Sequence, residues 1–311
     1  MKYTLIAFIS ISSLFSQIDY GFNFSKGGLA GFQFLKIETG AVSQAFSGAY
    51  SASSRDSKSF SNNISRISKI SDISFSVSNQ NWIAGSRINT ASFAFRKKDL
   101  VFGINALSFS IEEFEETTVS SPTGTGRMVK AGNYLFGLGL ARNFTDKLSL
   151  GMQLKYVEEN IDNYSYSNVL FDFGSNYETG FRDLNIAFVF QHIGPDVTPL
   201  DTKFRSPLMF RIGMSDYIYR IEPLRSMMII ELVHPTDSED YLILAQDLEL
   251  LEKINFRIGS KIKKSIFGHS FGFGIKNVNI SGNNTISIDY SLMISNYVFK
   301  DFHSLSISLN R

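Results

Sequence analysis

The sequence predicts an all-β fold, a closed antiparallel transmembrane β-barrel of about fourteen strands preceded by a short N-terminal plug segment with one or two short helices. Three observations carry this. Apolar residues recur with a period of two from Asp72 onward. Charged residues make up only 19% of the 311 residues while aromatics reach 14%, 29 of them Phe. The joints between the alternating runs switch between short and long. Soluble proteins average about 25% charged residues. Few charges, many aromatics and an ordinary 43% hydrophobic content describe apolar groups spread over a large surface, as in a wall that shows lipid every second residue.

The first element is an export signal at residues 1–16. Lys2 supplies the positive region, Leu5 to Phe15 the apolar run, and Ser16 before Gln17 the cleavage point. That run is too short for a spanning helix, which needs about 20 apolar residues. Residues 17–70 form the second element. Gly27 to Ile70 contains Gly40, Gly48, a Ser-rich stretch and two candidate helices near Ala41–Phe46 and Ser57–Ile67. It is too irregular to face lipid. It is read as a plug inside the barrel or at its periplasmic mouth, with a loose periplasmic arm as the other reading.

The barrel is expected over residues 71–311. Ile73, Phe75 and Val77 alternate with serines, and Phe93 and Phe95 with Ser92 and Ala94. Tyr134, Phe136, Leu138 and Leu140 alternate with Leu135, Gly137, Gly139 and Ala141. Leu148 to Tyr156, Val169 to Phe173, Leu184 to Phe190, Phe271 to Ile275, Ile286 to Leu292 and Leu305 to Leu309 continue the pattern. A soluble sandwich would carry Lys and Glu on its second face. Here that face is Ser, Gly, Ala and Asn with occasional charges, which suits a crowded interior with Phe, Leu and Ile turned to lipid. Short joints fall at Arg96–Asp99, Asn143–Asp146, Gly180–Asp183 and Leu250–Lys253, and long ones at Glu112–Lys130 and His192–Pro207. An even strand count places both termini in the periplasm of a bacterial outer membrane.

Chemistry is sparse. The chain has no Cys, which removes disulfides, thiolate metal sites and a Cys nucleophile, and a net charge of +1 gives no field for nucleic acid. His192, His234, His269 and His303 are expected near the outer rim as water-facing groups, without metal-ligand spacing. Glu112, Glu113, Glu115 and Glu116 head the longest outer loop, read as solvated. Thr123 to Gly126 lacks the Lys of a phosphate loop and reads as a turn. Lys261, Lys263 and Lys264 could meet lipopolysaccharide phosphates, and Trp82, Tyr156, Tyr164, Tyr166, Tyr217, Tyr219 and Tyr297 suit interfacial girdles. There is no Gly-x-Ser-x-Gly elbow. No enzyme activity, catalytic residue, metal or cofactor is expected.

Phe34-Leu-Lys-Ile-Glu-Thr-Gly-Ala41 followed by Ala45-Phe-Ser-Gly-Ala-Tyr50 resembles the N-terminal signature of the PorV/PorQ family, among the FadL-like barrels. The resemblance continues through Asn81-Trp82, Thr123–Gly126, Asn143–Val157, His192–Pro195, Ser206–Leu208, His234-Pro235 and Phe302-His303. It implies a fourteen-stranded barrel with a plug bearing Phe34, Leu35, Lys36, Ile37, Gly40 and Gly48. It also implies a role in type IX secretion or surface attachment, with cargo C-terminal domains bound by outer-loop residues such as Trp82, Glu112, Glu113, Glu115, Glu116, His192 and Pro195. The remaining partners are membrane lipid and lipopolysaccharide. Two departures stand out: Ser61-Asn-Asn-Ile-Ser65 replaces the family's Asn-Pro-Ala-Gly, and the chain ends Leu309-Asn310-Arg311 rather than on an aromatic residue. The alternatives are a FadL-like carrier of hydrophobic small molecules and an adhesive surface protein. A carrier needs a contiguous apolar lining beside the plug, and an inward face of Ser, Gly and Asn favours the secretion reading.

Overall fold

A computed structural model describes residues 30–198, 203–262, 267–295 and 299–311. The expected signal peptide, residues 17–29, Lys263, Lys264 and Tyr297 lie outside the described residues.

Fourteen antiparallel strands close on themselves in sequence order. They are β1 (Ile73–Asn81), β2 (Arg87–Lys97), β3 (Leu100–Ser110), β4 (Ala131–Asn143), β5 (Leu148–Ile161), β6 (Tyr164–Glu178), β7 (Asn185–Ile193), β8 (Met209–Ile221), β9 (Leu224–Pro235), β10 (Tyr241–Leu250), β11 (Ile254–Ile262), β12 (Phe267–Ser281), β13 (Asn284–Ser295) and β14 (Phe302–Asn310). β1 and β14 close the wall, with Val77 opposite Ile307. Closure leaves no unpaired edge, the only way a sheet can sit in hydrocarbon.

The two-residue period sorts the faces as expected. On β1, Phe75 and Val77 are exposed on the outer surface, while Ser74 and Ser76 are buried toward the lumen. The same phase holds at Phe136 and Leu138 against Leu135, and at Phe188 and Phe190 against Ala187 and Val189. β8–β11, between Met209 and Ile262, show the pattern poorly, and their inward face explains why. Ile229, Val233, Ile243 and Ala245 point in and pack on Val42, Phe46 and Tyr50 of the plug. With apolar neighbours on both sides, a strand reads as a continuous run such as Met227-Met-Ile-Ile230.

Residues 30–70 fill the lumen, which settles the choice between a plug and a loose arm in favour of the plug. Ala30 bridges to Arg205 in the β7–β8 joint, at the long-joint mouth. From there the chain descends through a 3₁₀ turn (Gln33–Lys36), helix α1 (Ala41–Ala45) and two more 3₁₀ turns (Ser57–Ser61, Ile64–Lys69). It reaches the opposite mouth beside the chain end, where Asp72 N–H donates to Arg311 O at 3.2 Å. Ile73 and Asn310 thus share the short-turn mouth, as the even count requires, and the chain before β1 runs back up the lumen. At this mouth the first and last strands are also joined by side chains: Ser74 Oγ donates to Asn310 Oδ1 at 2.6 Å.

Two inward glycines let plug backbone touch wall backbone. A Cβ at Gly151 would lie 2.6 Å from Ser65 N, and one at Gly259 2.3 Å from the Phe46 carbonyl carbon. Asn63 caps the last 3₁₀ turn of the plug. Its Oδ1 accepts from Ser65 N–H at 3.1 Å, and its Nδ2 donates to Ser51 O at 2.9 Å and Ser175 O at 3.2 Å.

Candidate functional site in the lumen

Five inward-facing apolar positions on neighbouring strands β2–β6 form one cluster. Leu107 on β3, Leu135 on β4 and Val157 on β5 stand directly across from one another in register. Ile88 on β2 and Leu170 on β6 extend the patch, and Phe32 and Phe34 of the plug cover it. Leu35, Ile37, Trp82, Phe109, Tyr166 and Val197 pack at its margin. The inward face is therefore not uniformly Ser, Gly and Asn. Its long-joint half carries the contiguous apolar lining that a carrier needs, which corrects the expectation from sequence. Leu135 and Leu170 were visible as apolar residues in the inward phase.

Below the patch the lining turns polar. Lys155 Nζ donates to Asp172 Oδ2 at 2.6 Å and lies 2.7 Å from His192 Nδ1, and Asp172 Oδ1 accepts the His192 N–H at 2.8 Å. His192 has φ 65°, at a bulge between β6 and β7. It is buried in the lumen, so the expectation of a rim contact is overturned: the bulge turns in a side chain that simple alternation puts outside. Arg211 on β8 joins the plug's Glu38 at 2.9 Å and β9's Glu231 at 3.1 Å. Its Nη1 also donates to Gly48 O at 3.1 Å. On the other side of the plug, Lys58 Nζ meets Asp289 at 3.0 Å and Asp56 at 3.2 Å, and Asp289 takes Arg257 Nη1 at 2.7 Å. A charge in a crowded lumen requires a partner. Lys155, Asp172, Arg211, Glu231, Arg257 and Asp289 all occupy the inward phase, a signal sequence reading had available but did not use.

Plug groups respond to this burial. Desolvation alone would lower the pKa of Lys58, but Asp56 and Asp289 push it well above the ordinary lysine value. Burial and the charge of Arg55 lower Arg66 to about 10. Burial works against Asp237, in the β9–β10 joint. Hydrogen bonds from Lys36 and Gln33, both 2.8 Å, together with the Lys36 charge outweigh it and hold the carboxyl below the usual range.

The expected plug residues all lie at the site. Phe34 is buried, Lys36 ties to Asp237, and Leu35 and Ile37 line the cavity. Gly40 (φ 83°) turns the chain into α1, whose Ala41 N–H donates to Ser306 Oγ at 2.8 Å. Gly48 (φ 104°) leaves room for Glu38, whose Oε1 would lie 2.5 Å from a Cβ there. The expected outer-loop contacts disperse. Trp82 is half-buried against Phe302, ring centroids 4.6 Å apart. Pro195 is exposed, its carbonyl taking Asn168 Nδ2 at 2.9 Å. Glu113 pairs with Lys130 at 3.0 Å and Glu116 with Arg127 at 2.9 Å. Glu115 Oε1 accepts Gly126 N–H at 2.7 Å, so the Thr123–Gly126 turn is folded onto the acids. His234, His269 and His303 are exposed, His234 beside Asp240. Among the described residues no group of three or more His, Asp or Glu could hold a metal ion.

Between the plug and the β2–β5 wall lies a cavity of about 30 Å³, measured as space open to the centre of a water molecule. That is room for about two waters. Leu35, Ile37, Leu107 and Leu135 form its apolar side, and Ser92, Asn105, Gln153, Lys155 and Arg211 its polar side. A second space of about 20 Å³ shares Thr39, Ser61, Thr90 and Ser92 with it and continues past Ser76, Ser78, Lys58 and Ser306.

No protein-family model matches the chain, and no curated protein sequence matches it. Solved structures do. The CymD monoaromatic hydrocarbon channel is 11% identical with a TM-score of 0.61, over 88% of this chain and 97% of that one. The Pseudomonas putida toluene transporter TodX is 11% identical, TM-score 0.55, over 87% and 96%. A Pseudomonas aeruginosa FadL homologue is 10% identical, TM-score 0.54, over 87% and 97%. At this identity the likeness is one of fold, and the fold is that of bacterial outer-membrane β-barrels.

Proposed function

We propose that this chain is an outer-membrane channel for small hydrophobic molecules, with the long-joint mouth outside and the short-turn mouth in the periplasm, reached by way of the signal peptide at residues 1–16. The observation that carries the reading is the apolar patch of Ile88, Leu107, Leu135, Val157 and Leu170 inside the lumen, covered by Phe32 and Phe34. Apolar side chains are stable there only against other apolar groups. The plug supplies these when the channel is empty, and a solute ring supplies them when plug side chains yield. The cavity admits only about two waters, so passage of a ring requires that yielding. The fold likeness to channels described for monoaromatic hydrocarbons and toluene supports the same reading.

The test is uptake of labelled toluene by cells whose lipopolysaccharide-bearing outer membrane carries the barrel. Uptake above that of matched cells lacking the barrel, reduced by Leu135→Asn, is the expected result. Equal rates with and without the barrel would refute it.

The secretion reading is the alternative. The feature that speaks for it is the long β3–β4 joint, where a ribbon pairs Phe114 with Val129 and Glu115 with Met128 and leaves Phe114 and Met128 exposed. Co-purification of a secreted protein's C-terminal domain from native membranes, lost on deleting that ribbon, would establish it.

A further inference from the structure

We infer that the preferred solute is a small ring bearing a neutral hydroxyl group, an alcohol or phenol, rather than a plain hydrocarbon or a carboxylate. This rests on the channel reading above and specifies what the channel selects.

The argument starts from the polar side of the cavity. Gln153 on β5 is 1% exposed. Its Nε2 donates to Asn105 Oδ1 at 2.7 Å, across the bare face of Gly137, where a Cβ would lie 2.1 Å from that oxygen and 2.4 Å from Gln153 Nε2. The amide is thereby oriented, and Gln153 Oε1 is a buried acceptor without a partner among the described residues. A buried acceptor left unmatched costs about 1–3 kcal/mol. A hydrocarbon cannot satisfy it, while an O–H donor can.

A carboxylate meets the opposite difficulty. Lys155 and Arg211 bring two positive charges to this wall, and Asp172, Glu38 and Glu231 bring three negative ones, a balance of −1. Each cation is already bound to a carboxylate, so an anionic solute would bring an unpaired charge into a buried site that already carries a net −1.

The route below has the same chemistry. From the cavity toward the short-turn mouth, Thr90, Ser92, Ser76, Ser78 and Ser306 on β1, β2 and β14 face the plug's Thr39. A hydroxyl-bearing solute can exchange hydrogen bonds along this row. An aliphatic one would desolvate it.

The experiment uses the purified full-length barrel in detergent and three matched, ultraviolet-transparent probes: cyclohexanol, methylcyclohexane and cyclohexanecarboxylate. Trp82, the single tryptophan, packs at the edge of the apolar patch and reports binding by its emission. Cyclohexanol is expected to bind about tenfold more tightly than either partner, the worth of one hydrogen bond of about 1.4 kcal/mol. Gln153→Leu should abolish that preference, and Ser92→Ala, a smaller change, should reduce it. Equal binding of cyclohexanol and methylcyclohexane, or tightest binding of the carboxylate, overturns the inference and leaves the channel reading standing. Binding of none of the three overturns both.

Discussion

Replacing Arg211 with Met should unseat the plug without unfolding the barrel. Arg211 is 3% exposed and sits between Glu38 at 7% and Glu231 at 0%. Its removal strands two carboxylates in the lumen, one on the plug and one on the wall. Breaking a buried ion pair by deleting one partner costs about 3–5 kcal/mol. At about 1.4 kcal/mol per decade, the unseated population rises from about a hundredfold to several thousandfold. The chain contains no cysteine, so a single Ser59→Cys, at a position with 0% exposure on the second 3₁₀ turn of the plug, reports unseating by its rate of reaction with a water-soluble maleimide. Arg211→Met should raise that rate by about two decades or more. A triple variant, Arg211→Met with Glu38→Gln and Glu231→Gln, should return most of the way, because neutral groups of similar volume replace a buried ion network at little net cost. Heat-modifiable gel mobility checks that each barrel is closed. Arg211→Met labelling at the wild-type rate, or a triple variant as fast as the single one, would refute the argument that charge pairing holds the plug.

Gly259→Ala places a methyl 2.3 Å from the Phe46 carbonyl carbon and Gly151→Ala one 2.6 Å from Ser65 N. Neither backbone can give way locally, so each should raise Ser59→Cys labelling, with an overpacking cost of about 1–3 kcal/mol. The tie of Lys36 to Asp237 sets a pH dependence. Because the Asp237 carboxyl is held below the ordinary aspartate pKa of about 3.9, its contribution is fully present above that value and is lost as pH falls through the depressed one. Labelling at Thr39→Cys, taken relative to a freely exposed cysteine at the same pH because maleimide reacts with the thiolate, should therefore be flat from neutral pH to about 5 and rise in stronger acid, and Asp237→Asn should show fast relative labelling at neutral pH and gain less on acidification. Leu135→Asn sets an amide in the apolar row and should cut hydrocarbon uptake roughly tenfold, with gel mobility unchanged.

The wall was legible because its rule is local: an alternate residue either meets lipid or does not. Phe75, Phe136 and Leu305 declare the outside by themselves, and Gly or Asp at the short turns fixes the phase. β8–β11 obscure the rule where Val42 and Phe46 of the plug give the inner face an apolar neighbour of its own. The plug segment was legible as irregular and Gly-bearing, but its ion partners were not, since Glu38 finds Arg211 across 173 positions of sequence. His192 shows the limit from another side. A single bulge shifted it from rim to interior, and no alternation pattern announces a bulge. The apolar patch was present as Leu135 and Leu170 in the inward phase. Only the barrel's register brings Leu107, Leu135 and Val157 into one row.

The most direct test of the account is site-directed spin labelling of the barrel in lipid vesicles, one cysteine at a time along β4 and β14. Labels at Phe136, Leu138, Leu305 and Ile307 should collide with oxygen dissolved in the bilayer. Labels at Leu135, Ala141, Ser304 and Ser306 should meet neither oxygen nor a water-soluble relaxant. Collision profiles without that two-residue alternation, or with the inner set exposed to lipid, would contradict the closed, plugged cylinder on which every functional statement depends.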